Sequence, residues 1–164
     1  MKSSNRFALL ATVVAALGTL SSAAIAATGA GTASATVIAP ITITNATNLN
    51  FGSFSNVNAG SVTISTAGVR SSSGVVLSAL NAGGGGTFTV GGANSAGFSI
   101  TSPQGFSVTG PGTAMPFTLT LPGATGTLSG TGAATINVGG VLTVAAGQAP
   151  GTYTGGYSVV VEYN

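Results

Sequence analysis

The sequence offers almost no side chain that could act as an acid, a base, an activated nucleophile or a metal ligand. It contains no histidine, no cysteine and no aspartate, and Glu162 is its one carboxylate. General acid–base catalysis draws on histidine or paired carboxylates, and a serine nucleophile needs a base beside it. Zinc sites need cysteine or histidine, and calcium sites need several carboxylates. We therefore expect no enzyme activity, no metal site and no cofactor.

A run of four glycines, from Gly83 to Gly86, invites comparison with a phosphate-binding loop. Such a loop continues into Lys and then Ser or Thr, and it follows a buried strand. Thr87 and Phe88 follow the glycines here, and no apolar run precedes them. The glycine run is therefore predicted to be a flexible hairpin loop.

The N-terminal residues have the pattern of a secretory signal peptide. Lys2 and Arg6 precede an uncharged apolar run over residues 7–20, and Ala24-Ile25-Ala26 offers a cleavage site of small residues. Cleavage is predicted after Ala26, with Ala27 as the near alternative. The apolar run is shorter than the ~20 residues of a transmembrane helix. The sequence predicts export, with no integral membrane segment in the mature chain.

The mature chain is predicted to be electrically neutral. Arg70 and Glu162 are the only charged side chains among the 138 residues left when residues 1–26 are removed from the 164. Binding to nucleic acid or to anionic lipid relies on several Lys or Arg side chains, so neither partner is expected. A neutral surface favours association between copies. Each of the two charged side chains is expected to point to solvent.

Alternation of apolar and small polar residues predicts a series of short β-strands. The pattern occurs at residues 62–64, 87–90, 98–100, 106–108 and 117–121. Turns containing Pro and Gly separate the stretches. No helical pattern interrupts the mature chain, and short strands at close spacing indicate a β-sandwich or a barrel. We expect one all-β domain over residues 40–164.

Two longer alternating segments lie at the two ends of the mature chain. In residues 33–44 the odd positions are apolar and most even positions carry hydroxyl groups. Pro40 lacks an amide proton, so two strands are predicted there, one before it and one after it. Residues 153–164 are predicted to form a core strand, whose apolar face carries Tyr153, Tyr157, Val159, Val161 and Tyr163.

Several blocks of the mature chain resemble the DUF4402 family of bacterial domains. They are residues 49–54 (Leu-Asn-Phe-Gly-Ser-Phe), 138–144 and 151–155, and the ending at residues 161–163. The layout of that family is similar to pilins of the chaperone–usher kind, above all to the archaic branch with spore-coat-protein-U-like domains. The resemblance implies an immunoglobulin-like β-sandwich that lacks one strand. This sequence lacks the cysteine pair that many such pilins carry.

In such pilins a periplasmic chaperone first fills the gap, and at an outer-membrane usher the N-terminal extension of the next subunit replaces it. The resemblance implies that residues 27–39 form this extension and that residues 32–39 are the donor strand. Alternation suits strand addition, because every second side chain enters the partner's core. The inward side chains would be those of Ala33, Ala35, Val37 and Ala39. The acceptor groove is expected along the C-terminal strand, on the face of Tyr153, Tyr157, Val159, Val161 and Tyr163.

Four functions are compatible with these observations. The first is a structural subunit of a pilus-like surface fibre, a head-to-tail homopolymer that supports adhesion or biofilm formation. The second is a monomeric secreted or periplasmic binding domain that uses its N-terminal strand in its own sheet. The third is a small outer-membrane β-barrel, which needs strands of about 9–11 residues, longer than most of those predicted. The fourth is an amyloid-like fibre, against which the many Gly and Pro residues and the absence of repeats argue.

Overall fold

The structure, a computed structural model, describes residues 25–55 and 57–164. The predicted signal peptide lies outside the described residues, except for residues 25 and 26. The described residues form two antiparallel sheets packed as a sandwich, and they contain no helix that could cross a membrane. This confirms the all-β, immunoglobulin-like sandwich. The strands are β1 (Thr42–Thr47), β2 (Gly60–Ile64), β3 (Arg70–Ser73), β4 (Gly86–Gly91), β5 (Gly97–Thr101), β6 (Phe106–Val108), β7 (Met115–Thr120), β8 (Thr125–Thr127), β9 (Ala133–Val144) and β10 (Val160–Tyr163).

Strand β9 is the longest strand, and it connects the strands of the larger sheet. Its first half pairs with β4, which also pairs with the edge strand β1. Its second half pairs with β2 and β7, which in turn pair with β3 and β6. The smaller sheet has the order β10-β5-β8. The C-terminal strand β10 is therefore an edge strand.

Gly139 and Gly140 lie where β9 passes from one set of partners to the other. A side chain at Gly139 would overlap the carbonyl oxygen of Ile64, and one at Gly140 would press against the carbonyl oxygen of Thr118. Neighbouring backbones can approach this closely only because glycine lacks a Cβ atom. Burial alternates on either side of the glycines and is continuous across them. This interruption explains why alternation alone did not predict β9 as one strand.

The five alternating stretches predicted as strands coincide with β2, β4, β5, β6 and β7, so these predictions are confirmed. The short strands β3 and β8 were not predicted. Their sequences, Arg-Ser-Ser-Ser and Thr-Gly-Thr, contain no apolar side chain, and both lie at sheet edges. They form strands because a neighbouring strand supplies hydrogen bonds, and the local sequence pattern gives no sign of this pairing.

The interior of the sandwich is divided into two clusters of buried side chains. The first core lies between β4 and the first half of β9 on one side and the smaller sheet on the other. It contains Phe88, Val90, Phe98, Ile100, Leu128, Ile136, Val138, Val159 and Val161. The second core lies against β2, β7 and the second half of β9. It contains Phe51, Val62, Ile64, Val75, Met115, Phe117, Leu142 and Val144.

The two strands predicted around Pro40 are only half correct. The strand after Pro40 exists as β1, whereas residues 25–41 form no strand. Val37 is 97% exposed and Ile38 is 56% exposed. The alternating segment before Pro40 therefore pairs with no strand among the described residues.

The prediction of a flexible hairpin loop at the four glycines is wrong. Gly84 and Asn50 exchange two backbone hydrogen bonds of 2.7 and 2.9 Å, and Gly86 already belongs to β4. Gly83 has a φ of 70°, and a Cβ atom there would lie 2.5 Å from the Asn50 carbonyl oxygen. The glycines are needed because another chain segment packs directly against their backbone.

Candidate functional site

An open groove with a volume of about 800 Å³ runs over the second core. Two chain segments form its sides: residues 48–55, here the N-terminal wall, and residues 148–157, here the C-terminal wall. The floor is apolar and consists of Val108, Met115, Phe117 and Leu142. Among the described residues that line the groove, none carries a charge. The groove therefore suits an extended, uncharged chain segment with apolar side chains.

The N-terminal wall makes its backbone hydrogen bonds on the side away from the groove. The Ser53 amide donates to the Asn81 carbonyl (3.0 Å), and the Ser55 amide donates to the Val76 carbonyl (2.8 Å). Successive residues of an extended segment direct their backbone groups to opposite sides. The backbone of Phe54 is thus directed into the groove, and it has no backbone partner among the described residues. This wall presents an unpaired strand edge.

The C-terminal wall has the same one-sided pairing. Thr154 exchanges two backbone hydrogen bonds, of 2.8 and 2.9 Å, with Thr109 on its outer side. The neighbouring residues Tyr153 and Gly155 direct their backbone groups to the other side, into the groove. The Tyr153 hydroxyl donates to the Ala149 carbonyl (2.9 Å), which braces the wall. The groove is therefore lined on one side by Phe54 and on the other by Tyr153 and Gly155, whose backbone groups have no backbone partner among the described residues.

Tyr157 closes one end of the groove. Its ring meets Phe88 of the first core and Phe117 of the second core edge to face, with centroids 5.9 and 6.4 Å away. Its hydroxyl accepts a hydrogen bond of 3.1 Å from the Leu49 amide. The two walls thus meet at this end and run from it in opposite chain directions, toward Ser55 and Gln148. Tyr157 separates the closed half of the sandwich from the half that contains the groove.

Arg70 supports the N-terminal wall from behind, and the expectation that it points to solvent is wrong. Its Nη1 donates to the carbonyls of Phe51 (3.4 Å), Ser53 (3.2 Å) and Asn81 (2.8 Å), and its Nη2 donates to that of Ser78 (2.6 Å). The other charged side chain of the mature sequence, Glu162, is exposed as expected. The sequence gives one signal for Arg70, namely that it is the only cation after residue 6.

The profile of one family of domains matches residues 41–163, from just before β1 to the end of β10. It is the family described as a domain of unknown function, DUF4402. The chain belongs to the DUF4402 family. Searches of curated proteins and of solved structures returned no match. The Leu-Asn-Phe-Gly block quoted for this family lies in the N-terminal wall of the groove, with Leu49 at its Tyr157 end.

The DUF4402 domain places the five residues predicted for the acceptor face at three different locations. Tyr153 and Tyr157 line the groove. Val159 and Val161 lie in the first core, beyond the closed end. The Tyr163 hydroxyl accepts a hydrogen bond from the Ala93 amide (2.6 Å) and donates one to the Ala39 carbonyl (2.8 Å). The prediction of one strand over residues 153–164 is correct only for Val160–Tyr163 (β10), and of the five predicted side chains only the first two line the open groove.

The four residues predicted for the donor strand precede the matched DUF4402 domain. Ala33, Ala35, Val37 and Ala39 lie in no strand and are exposed. Ala39 is held at the end of β10 through Tyr163, whereas the groove follows residues 148–157. The sequence analysis missed the N-terminal wall, the floor residues and Arg70, because their contact depends on how distant strands pack together.

Proposed function

We propose that the mature chain is an exported structural subunit of a pilus-like cell-surface fibre, and that its groove takes the N-terminal segment of another copy. One observation carries the proposal. The domain has a groove with two unpaired strand edges, and an alternating segment without a strand partner precedes the same domain. Fibres of this kind support adhesion or biofilm formation.

A guest strand satisfies both walls at once. Its backbone can pair with Phe54 on one side and with Tyr153 and Gly155 on the other. Every second side chain then points at the floor, as in other cases of strand addition. Because Met115, Phe117 and Leu142 are already almost fully buried, the hydrophobic gain comes mainly from the guest's own side chains. The N-terminal wall and residues 32–39 have eight residues each, and the wall is shorter than a fully extended chain of that length because Gly52 has a φ of 75°. Because Ala33, Ala35 and Ala39 are small, the main-chain hydrogen bonds contribute much of the affinity.

The closed end of the groove determines the direction of the guest. Only Pro40 and Ile41 separate Ala39 from β1, so the donor's own domain must stand directly beside the last donor residue. At the Tyr157 end the first core continues and leaves no room for a second domain. The donor therefore enters with Ala39 near Gln148, antiparallel to the C-terminal wall.

The last donor residue, Ala39, and the groove lie at opposite ends of residues 148–163. Ala39 is bound to Tyr163, six residues or about 20 Å beyond Tyr157. A contact between two different surfaces of identical copies is heterologous, and it builds a filament unless the rotation closes a ring. Before assembly, the open edges would associate wrongly. A periplasmic chaperone and an outer-membrane usher are the partners that would protect and deliver such a subunit.

The test compares residues 27–164 with the same chain lacking residues 27–39. Both are examined by size-exclusion chromatography, electrophoresis in SDS without boiling, and negative-stain electron microscopy. We expect filaments and SDS-resistant ladders from the longer chain and neither from the shorter one. A folded monomer from the longer chain, destabilised by the truncation, would instead mean that the segment completes its own sheet. The protein would then be a monomeric β-sandwich binding domain.

A further inference from the structure

We propose that Arg70 is the positioning residue of the groove, an inference that rests on the proposed function. Two of its four carbonyl acceptors, Phe51 and Ser53, belong to the N-terminal wall. The other two, Ser78 and Asn81, belong to the loop behind that wall. One side chain thus ties the wall to its support and fixes how far the wall stands from the opposite side of the groove.

Gly52 shows that the wall is built around the guanidinium group. Its φ is 75°, a conformation that L-residues with a side chain rarely adopt. A Cβ atom at Gly52 would overlap Nη1 of Arg70 and would lie 2.5 Å from the Asn81 carbonyl oxygen. The glycine of the Leu-Asn-Phe-Gly block therefore leaves the space that Arg70 occupies. The block and Arg70 act as one unit.

An arginine is needed here because its planar fork donates from two nitrogens in fixed directions. Hydrogen bonds from a charged donor are stronger than those between neutral groups. A lysine would keep the charge but would offer a single nitrogen in place of the fork, so it could not hold all four carbonyls. Arg70 occupies the carbonyls on the far side of the wall. The N–H and C=O groups of Phe54 consequently stay directed at the guest strand.

The experiment uses residues 27–164 with the changes Arg70→Lys and Arg70→Met, and with Glu162→Gln as the control that removes the other charge. Amide hydrogen exchange is measured at residues 53–55 and, for comparison, across β4 and β9. In Arg70→Lys we expect exchange at the wall to rise roughly tenfold or more, the effect of losing one hydrogen bond to a charged group. Exchange across β4 and β9 should stay unchanged. SDS-resistant ladders should form about tenfold more slowly.

Each result either supports or overturns the inference about Arg70. Unchanged wall exchange in Arg70→Lys overturns it. Faster wall exchange with normal ladder growth also overturns it, because Arg70 would then stabilise a loop without positioning the groove. If Arg70→Met does not fold, Gly52→Ala gives a second way of displacing the guanidinium, and it should reproduce the effects of Arg70→Lys.

A different pattern of results distinguishes failure of the fibre proposal from failure of the inference about Arg70. If the unmodified chain forms no ladders, the fibre role falls, and a synthetic octapeptide with the sequence of residues 32–39 replaces the ladder as the probe. Protection of the wall amides by this peptide, lost in Arg70→Lys and retained in Glu162→Gln, still supports the role of Arg70. A peptide that protects no wall amide in the unmodified chain overturns that role as well.

Discussion

Replacing Val37 by Glu tests the donor segment without disturbing the domain that receives it. Val37 is 97% exposed, so the change should alter the free energy of unfolding of a single copy by no more than about 0.5 kcal/mol. In a fibre the same side chain would lie over the apolar groove floor. The donor would then lose the burial of Val37, about 1.5–3 kcal/mol. It would also place an unpaired carboxylate there, at a further cost of several kcal/mol.

The two costs together reach about 4 kcal/mol or more, which is roughly a thousandfold in the association constant. The assay compares the unmodified chain (residues 27–164), Val37→Glu and Thr36→Glu for SDS-resistant ladders, for filaments and for thermal unfolding. Thr36→Glu is the matched control, because it adds the same charge one position away on the outward face. We expect Val37→Glu to abolish ladders, Thr36→Glu to keep them, and both monomers to melt as the unmodified chain does.

Two results would refute this reasoning. Equal loss of ladders in Val37→Glu and Thr36→Glu would show that added charge, and not the inward face, controls assembly. A drop of several degrees in the melting temperature of Val37→Glu alone would show that Val37 is buried in its own sheet. The intramolecular strand would then be correct, and the exchange between copies would be wrong.

Three further predictions concern the groove and the charge of the chain. Tyr157→Phe removes the acceptor of the Leu49 amide, and it should lower the free energy of unfolding by about 1 kcal/mol in urea denaturation; an unchanged midpoint would contradict this. Phe117→Ala empties the groove floor beneath Phe51 and Phe106, and it should cost about 3–5 kcal/mol by the same measurement, whereas a cost below 1 kcal/mol would show that the floor is not packed. The sequence has no histidine, so thermal stability should stay constant between pH 6 and 8. The predicted mature part has only two charged side chains, so the rate of ladder formation should stay constant between about 0.05 and 0.5 M salt. A clear dependence on pH or on salt would indicate an ionic contact in the interface.

The sequence predicts the strands that bury one face and expose the other. The stretches around Phe88 and Phe98 alternate because their apolar side chains enter the first core while their neighbours face outward. In residues 153–163 the exposure also alternates, but the predicted strand is confirmed only over Val160–Tyr163 (β10). β9 departs from it, since Gly139 and Gly140 are buried on account of approaching backbones and carry no side chain to show it.

The groove could be predicted only in part. The tyrosines of its C-terminal wall stand out in the sequence because they share a face with a core strand. Its floor combines Val108, Met115, Phe117 and Leu142, which come from three strands and are ordinary core residues by pattern. What makes them a candidate site is their grouping between the two walls, which depends on how distant strands pack together. Such a grouping leaves no local mark in the sequence, so only the three-dimensional structure reveals it.

Arg70 was misjudged for a related reason. A lone cation in a neutral chain is expected in water, because burying a charge without a partner is costly. Here four backbone carbonyls surround the guanidinium and replace its hydration, at distances of 2.6 to 3.4 Å. Every residue has a backbone carbonyl, so no residue type in the sequence indicates that carbonyls will bind the guanidinium group.

The interior of the domain is divided into two cores that meet at Tyr157. The first core is enclosed by two sheets and holds fully buried side chains such as Phe98, Leu128 and Ile136. The second core is covered on one side only by the two walls, and Tyr157 forms the border between them. Both cores hold fully buried side chains, including Val62, Ile64 and Leu142 in the second, so neither half alone accounts for the stability of the fold. Arg70 and Gly52 belong to the open half, where the wall has no neighbouring strand on the groove side to hold it in place.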